Sequence, residues 1–258
     1  MTPYQTWISF YTIVRKDVVR ICRIWAQTFL PSVVTSALYF LIFGAFLGSR
    51  IGDVQGVSYI SFVVPGLVML AVVTNSYMNT SFTMFMSKFF ARTIDEILVS
   101  PTPPWVIVAG YVAGGMLRGI VIGVIVILVS LFFTHLAIHS FLIILLFLVL
   151  TSLIFSVAGL VNGIYAKSID GINIVPTFVL TPLVYLGGVF YSTEALPEFW
   201  ATFTKFDPIF YVINGFRYGF LGVTDVSLWL SLGILVFFAL LFLGIAWYLI
   251  RTGLGLRQ

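Results

Sequence analysis

The chain has 258 residues, of which 60% are hydrophobic and 9% are charged, and its formal net charge is +4. A soluble domain carries about a quarter charged residues, so this chain has too little polar surface to cover a water-soluble globule. These values exclude a soluble enzyme and a nucleic-acid-binding domain and leave a polytopic membrane protein. The single cysteine, Cys22, excludes an intrachain disulfide and a cysteine-based metal cluster.

The first segment, residues 1–24, has the pattern of a basic amphipathic helix. Apolar residues recur every three or four positions, namely Trp7, Phe10 or Tyr11, Val14, Val18 and Ile21, and the charged residues lie mostly off this stripe. Such a helix before a span is typical of one that lies on a membrane surface, where phosphate headgroups attract its arginines. We therefore expect membrane lipid to contact this segment. It lacks a signal-peptide pattern, so the next apolar run is expected to be an uncleaved span.

Six apolar runs are long enough to cross a bilayer, which takes about 20 residues. The predicted spans are 25–47, 59–86, 105–133, 141–165, 172–191 and 228–250. The predicted fold class is therefore an all-α polytopic membrane protein, with a single transmembrane domain over residues 1–258.

The lysines and arginines predict the orientation of these spans. Nine of them, Arg257 included, fall on the side of the two termini, three fall on the other side, and Arg118 is left inside the third run. Because positively charged loops stay in the cytoplasm, both termini are predicted to be cytoplasmic. The opposite side is mildly acidic: Asp53, Glu194, Glu198, Asp207 and Asp225.

A charged stretch, residues 87–104, separates the second and third spans and reads SKFFARTIDEILVSPTPP. Helical spacing gives it an apolar face: Phe90, Ile94, Ile97 and Leu98. The opposite face is charged: Lys88, Arg92, Asp95 and Glu96. Three prolines then end the helix. Two interpretations stay open, a connector resting its apolar face on lipid and a docking helix that receives force from a soluble partner.

The connection before the last span, residues 191–227, is too aromatic for a solvated loop. Pro197 and Pro208 divide it into two pieces, and neither is long enough to span a bilayer. Aromatic side chains favour the membrane interface. We predict an external helical hairpin that re-enters the outer leaflet.

Three stretches carry a resemblance to one family: FVVPGLVML (62–70), RTIDEILVSPTPPWVIVAGY (92–111) and DPIFYVINGFRYGFLG (207–222). With the six spans, the two amphipathic helices and the hairpin, they resemble the ABC-2 type permease family. Its members are the membrane-spanning subunits of a class of bacterial ATP-binding-cassette exporters. The last stretch is the most specific and contains a late signature: Asp207, Pro208, Asn214 and Arg217. Asp207 stands where the family usually has Asn.

The resemblance implies an inner-membrane homodimer that exports a drug, a glycan or a lipid-like amphipathic molecule between its two protomers. Each chain would bind a separate ATPase subunit, which holds ATP and Mg. The stretch 87–104 would be the coupling helix, and its ATPase contacts would be Lys88, Arg92, Asp95, Glu96, Ile97 and Leu98.

The chain itself lacks the residues for nucleotide binding. A P-loop needs a lysine directly after a glycine, and none of the four lysines follows one. His135 and His139 are four residues apart, but zinc needs three or four ligands, so they are expected to be surface residues. We expect no catalytic residue, metal or cofactor in this chain.

Asn75, Asn79 and Arg118 are polar residues inside predicted spans and are candidates for a substrate path. The simpler interpretation of the two asparagines is hydrogen bonding between helices. Arg118 either faces a cavity, because a charge in the bilayer core is costly, or extends to the cytoplasmic surface from a span that begins at Gly119.

Two other functions were weighed against the exporter. An ion- or proton-coupled transporter needs acidic residues inside its spans, and none of the predicted cores contains one. An intramembrane serine protease needs a buried serine beside a histidine, and both histidines fall at one external edge.

Overall fold

The computed structural model describes residues 2–193 and 196–256, which leaves Glu194 and Arg257 outside the described residues. The described residues form twelve α-helices: α1 (Pro3–Arg23), α2 (Trp25–Phe40), α3 (Gly48–Ile51), α4 (Tyr59–Phe89), α5 (Thr93–Val99), α6 (Pro104–Ser130), α7 (Phe141–Tyr165), α8 (Ile169–Val175), α9 (Thr181–Leu186), α10 (Glu198–Thr204), α11 (Pro208–Leu221) and α12 (Leu228–Thr252). π-Helical segments follow α2 and α8: Leu41–Leu47 and Pro176–Leu180.

Six helical segments are long and apolar enough to cross a membrane: Trp25–Gly44, Tyr59–Phe89, Pro104–Ser130, Phe141–Tyr165, Ile169–Leu186 and Leu228–Thr252. The predicted class, an all-α polytopic membrane protein with six spans, is therefore confirmed. The fifth segment differs most from its predicted bounds. It begins early because Ser168 caps α8 through a 3.0 Å hydrogen bond from the Gly171 N–H, and it ends before Gly188, whose φ of 81° favours glycine.

The core of the bundle is built around α4, which packs against α6, α7 and α11. Side chains of α4 such as Phe62, Val64, Met69 and Met84 are fully buried. Its kink-prone Pro65 lies inside the helix and is buried as well. Burying an apolar side chain stabilises a fold by about 1.5–3 kcal/mol in water, but between lipid-covered helices close packing itself holds the bundle together.

The amphipathic helix α1 packs along α6. A Cβ at Gly110 would lie 2.8 Å from Ile13, and Gly114 faces the Asp17 carboxylate in the same close way. Small residues on α6 thus let α1 approach its backbone. Asp17 is buried against α6, whereas Trp7 on the predicted apolar stripe is 62% exposed.

One end of the bundle, which we call the β-hairpin end, carries two short antiparallel strands, β1 (Asp53–Val54) and β2 (Val57–Ser58). Gln55 and Gly56 both have positive φ values, 51° and 78°, as a tight two-residue hairpin turn requires. The opposite end carries α5 and is called the α5 end. The sequence analysis did not predict the strands, although the glycines beside Asp53 and Gln55 are a turn signal.

The connection 191–227 contains two short helices, α10 and α11, which begin directly after Pro197 and at Pro208. α11 has 14 residues and is therefore about 20 Å long. It runs back along α7, with Gly219 against Ile144 and Gly215 against Phe147. Both ends of the connection return to the β-hairpin end, while the depth of the pair in a bilayer stays a prediction.

Candidate functional site

The short helix α5 lies at the α5 end of the bundle, and its charged side is exposed. Arg92 precedes it with a left-handed backbone, φ 49°, and is exposed, as are Asp95 and Glu96 in the first turn. Carboxylates in the first turn are favourable because the helix N-terminus is partly positive. Ile94 is fully buried and anchors the other side, Ile97 and Leu98 are half-buried, and Val99 is 89% exposed.

The structure corrects three details of this helix. α5 begins at Thr93, since Ser87–Phe89 form the last turn of α4, and Phe90 is 64% exposed. Lys88 is buried rather than facing water, so its predicted position on the charged face is wrong.

The position of Lys88 has a clear physical cause. Its Nζ donates hydrogen bonds to the carbonyls of Ile164, at 3.0 Å, and Gly255, at 2.5 Å. These carbonyls lie at the end of α7 and just beyond α12, where unpaired C=O groups and the helix dipole attract a cation. Lys88 therefore joins the ends of three helices.

A chain of hydroxyl contacts fastens α5 to three neighbouring helices. Lys16 Nζ of α1 donates to Thr93 Oγ1 at 3.0 Å. Thr93 Oγ1 lies 2.7 Å from Ser87 Oγ of α4, which in turn lies 2.6 Å from the Tyr111 hydroxyl of α6. A displacement of α5 therefore acts directly on α1, α4 and α6.

One turn deeper lies a group of polar side chains that we call the Asp17 cluster: Asp17, Arg20, Asn79, Thr83 and Arg118. Arg20 Nη2 lies 2.5 Å from Asp17 Oδ1, the one salt bridge within the part of the chain that the structure describes. Asn79 Nδ2 donates to Asp17 Oδ2 at 2.9 Å, and Arg20 Nη2 also donates to Asn79 Oδ1 at 2.8 Å and Thr83 Oγ1 at 2.6 Å. The cluster joins α1 to α4.

Arg118 of α6 completes the cluster. Its Nη1 donates to Asn79 Oδ1 at 3.4 Å, and its Nε is buried without a partner among the described residues. α6 begins at Pro104, about 20 Å earlier along the helix. This geometry favours an Arg118 side chain that lies inside the bundle over one that extends to the cytoplasmic surface, while its place on a substrate path stays a prediction.

Asn75 lies apart from the cluster. Its Nδ2 donates to Ser32 Oγ of α2 at 3.4 Å and to the Ala71 carbonyl at 2.9 Å. The structure thus brings together Asn79 and Arg118 of the three substrate-path candidates, and it shows both asparagines making the expected hydrogen bonds between helices.

A cavity of about 700 Å³ separates α1 from α5 and from the adjoining parts of α4 and α6. We call it the α1 cavity. Its charged lining residues are Lys16, Asp17, Arg20 and Glu96. Burial lowers the pKa of Lys16 and Asp17 opposes that shift.

The signature residues at the β-hairpin end have structural positions. Asp207 caps α11 by accepting the Ile209 N–H at 2.8 Å, and Pro208 occupies the first helical position, where no N–H is needed. Asp207 Oδ2 is buried without a hydrogen-bond partner among the described residues. Burial raises the pKa of Asp207 to about 7, against the effect of the Ile209 hydrogen bond.

Arg217 is 1% exposed and donates through Nη2 to the Gly188 carbonyl at 2.6 Å. Its guanidinium carbon lies 3.8 Å from the centre of the Phe62 ring, a cation–π contact. Burial lowers the pKa of Arg217 to about 10, with Asp225 opposing, so the side chain is cationic at neutral pH.

Asp225 forms hydrogen bonds that join several loops at this end of the bundle. Its Oδ1 accepts from Gln55 Nε2 at 2.7 Å and Ser192 Oγ at 3.2 Å, its Oδ2 accepts from the Thr193 N–H at 3.2 Å, and its own N–H donates to Asn214 Oδ1 at 3.0 Å. We call these residues, with Arg217, the Asp225 cluster.

Asp17, Arg20 and Asp225 are site residues that the sequence alone did not predict. The only sequence signal for Asp17 was its position three residues before Arg20, a spacing that permits an ion pair on one face of a helix. No group of three potential metal-ligating residues occurs in residues 2–193 and 196–256.

Comparison with known proteins agrees with this architecture. The family model described as "ABC-2 type transporter" matches residues 8–221. The chain is 52% identical to the "Inner membrane transport permease YadH" of Escherichia coli (strain K12) over 252 residues, 98% of each chain. It is 26% identical to "Nodulation protein J" of Rhizobium meliloti (strain 1021), over 92% of this chain and 90% of that protein.

Proposed function

The chain belongs to the ABC-2 type transporter family, and we propose that it is the permease subunit of an ATP-binding-cassette exporter. It is a multi-pass membrane subunit of an ABC transporter. Its 52% identity to the "Inner membrane transport permease YadH" supports a location in the inner membrane. We place both termini and the α5 end in the cytoplasm, following the distribution of lysine and arginine.

The exposed charged side of α5 is the observation that carries this proposal. Arg92, Asp95 and Glu96 are exposed on a helix whose opposite side is anchored by Ile94. A helix that only rested on lipid would turn its apolar side outward. α5 is therefore the coupling helix that binds a separate ATPase subunit, which supplies ATP and Mg.

The contacts of α5 supply the route for force. When the ATPase subunits close on ATP, α5 moves and pulls on α1, α4 and α6 through Lys16, Ser87 and Tyr111. Lys88 carries the same displacement to the ends of α7 and α12. Two protomers rocking against each other would give alternating access and move cargo between them.

The cargo class is an amphipathic molecule, whether a lipid-like compound, a drug or a glycan. Asn79 and Arg118 supply hydrogen-bond donors next to otherwise apolar spans. Arg118 would favour a cargo with an acidic group, because its Nε has no partner within the described chain.

Co-purification tests the proposal. The tagged chain is purified from its native host in mild detergent, and bound proteins and ATP hydrolysis are measured. We expect a stoichiometric nucleotide-binding subunit and ATPase activity. The double variant Asp95→Lys/Glu96→Lys should lose that subunit while its spans stay folded.

The control is Asp170→Lys, which reverses an exposed carboxylate at the start of α8, outside α5. It should retain the ATPase. Normal complex yield and transport in the double variant would overturn the assignment of α5.

The alternative is an ion- or proton-coupled transporter without an ATPase. It requires acidic groups inside the spans, and Asp170, exposed in the first turn of α8, is the one acid in the six candidate spans. A homo-oligomer that purifies alone and hydrolyses no ATP would favour this alternative.

A further inference from the structure

The charged residues that line the α1 cavity are two cations, Lys16 and Arg20, and two carboxylates, Asp17 and Glu96. Arg118 lies just beyond the cavity wall, close enough to interact electrostatically with both Arg20 and Asp17. The cavity and the Asp17 cluster together therefore hold one more cation than carboxylates, and this surplus charge is that of Arg118. Partly buried positive charge of this kind attracts an anion.

Lys16 and Arg20 also have N–H groups that can donate further hydrogen bonds. Lys16 uses one of its three N–H groups, for Thr93. Arg20 makes its hydrogen bonds to Asp17, Asn79 and Thr83 through Nη2 alone, which leaves Nη1 available. Both oxygens of Asp17 accept hydrogen bonds from Arg20, Asn79 and Thr83, so the counterion of Arg20 is held in place by the cluster itself.

The rest of the cavity wall is apolar. Apolar side chains of α1, α4 and α5 form it: Ile8, Ile13, Phe82, Met86 and Ile97. Phe82 is 39% exposed, so part of this wall reaches the outer surface of the bundle. A space of about 700 Å³ is of the size that holds a small amphipathic molecule.

We propose that the α1 cavity is a binding site for a phospholipid, with its phosphate between Lys16 and Arg20 and its acyl chain along Phe82 and Met86. Charge complementarity and the joining of a cationic end to an apolar wall carry the assignment. A phospholipid bound there would contact both α1 and α5 and so restrict the movement of one helix relative to the other.

Three probes separate the parts of this assignment. The purified full-length chain in a neutral detergent is titrated with dioctanoyl phosphatidylglycerol, with dioctanoylglycerol, and with inorganic phosphate, and binding is followed by thermophoresis. We expect the phosphatidylglycerol to bind at least tenfold more tightly than either of the other two. A diazirine-bearing phosphatidylglycerol should label peptides within residues 8–20 or 82–102.

Two matched variants locate the phosphate. Lys16→Gln removes a cation that lines the α1 cavity. Arg15→Gln removes an exposed cation that lies on the same helix but does not line the cavity. We expect Lys16→Gln to weaken phosphatidylglycerol binding at least fivefold and Arg15→Gln to leave it unchanged. Because both residues are exposed, neither substitution should unfold the chain.

Four results would overturn the proposal. Equal weakening by Arg15→Gln would show general attraction to a basic helix, and an unchanged affinity in Lys16→Gln would exclude this phosphate position. Equally tight dioctanoylglycerol binding would show an apolar groove without headgroup recognition. Equally tight inorganic phosphate binding would show a free-anion site. All four leave the permease proposal untouched, since no ATPase or transport is measured.

Discussion

The Asp17 cluster and the Asp225 cluster lie at opposite ends of the bundle and use similar residues in different ways. Each combines one carboxylate and one asparagine with arginine, of which the Asp17 cluster has two and the Asp225 cluster one. In the Asp225 cluster, several bonds involve the main chain, including Arg217 to the Gly188 carbonyl and the Thr193 N–H to Asp225. In the Asp17 cluster, the bonds join side chains of α1, α4 and α6.

This difference indicates which end can move. Main-chain bonds fix loops in place, whereas side-chain bonds between helices can break and re-form when the helices shift. The Asp17 cluster also borders a cavity and contains the long 3.4 Å contact of Arg118. The Asp225 cluster is therefore expected to determine stability, and the Asp17 cluster to determine coupling.

The largest effect should come from Arg217→Met. It leaves the Gly188 carbonyl without its donor and removes the contact with the Phe62 ring, for an expected loss of about 3 kcal/mol of stability. Thermal unfolding in detergent measures it, with Lys205→Met as an exposed control at the same end. An unfolding midpoint that matches the control would contradict a structural role for this arginine.

Asp207 should make the β-hairpin end sensitive to pH. Because burial raises its pKa from 3.8 to about 7, the folded chain holds this proton more tightly than the unfolded chain. The stability from this group is complete below about pH 4 and is lost as the pH rises through about 7. Asp207→Asn should therefore raise the unfolding midpoint most at pH 8, less at pH 5, and change it little below pH 4.

The control for this titration is Asp53→Asn, which alters an exposed carboxylate at the same end. It should shift neither midpoint. Parallel stability curves for the wild type and Asp207→Asn between pH 5 and pH 8 would refute the titration of Asp207.

Asp17→Asn should separate coupling from stability. The amide keeps the shape of the carboxylate but removes the counterion of Arg20, for an expected loss of about 1–2 kcal/mol. We expect transport to fall at least fivefold while the folded yield falls little. Asp225→Asn is the matched change at the other end and should reduce folded yield and transport in proportion. Proportional losses in both variants would remove the proposed distinction between the clusters.

Lys88→Met should have the smallest effect on stability, about 1 kcal/mol, because water can reach carbonyls near helix ends. ATP hydrolysis should continue with less transport per ATP, since the ends of α7 and α12 lose their hydrogen bonds to Lys88 of α4. Lys167→Met, an exposed cation at the same end, serves as the control. If transport per ATP is unchanged in Lys88→Met, this lysine is only a helix cap.

The sequence predicted the spans and the outward charges of α5 because these follow from local patterns. Hydrophobic run length locates a span, and helical spacing assigns Asp95 and Glu96 to one face. It did not predict the inward position of Lys88, since the carbonyls that attract it belong to Ile164 and Gly255, far along the chain.

The candidate sites were only partly predictable for the same reason. Asn79 and Arg118 were recognised because polar groups are rare in spans, whereas Asp17 sits in a helix where charges are ordinary. Its burial depends on Gly114 of a different helix. The Asp225 cluster joins Gln55 to loops more than one hundred residues later, and no local pattern reports such a meeting.

Site-specific photo-crosslinking from α5 tests the central claim most directly. A benzophenone amino acid is placed at Val99, which is 89% exposed on α5, or at Trp229, which is 82% exposed at the β-hairpin end, and cells are irradiated before purification. The account predicts a nucleotide-binding ATPase crosslinked from position 99 and not from position 229. Crosslinks to lipid alone at position 99, or an ATPase captured from position 229, would contradict it.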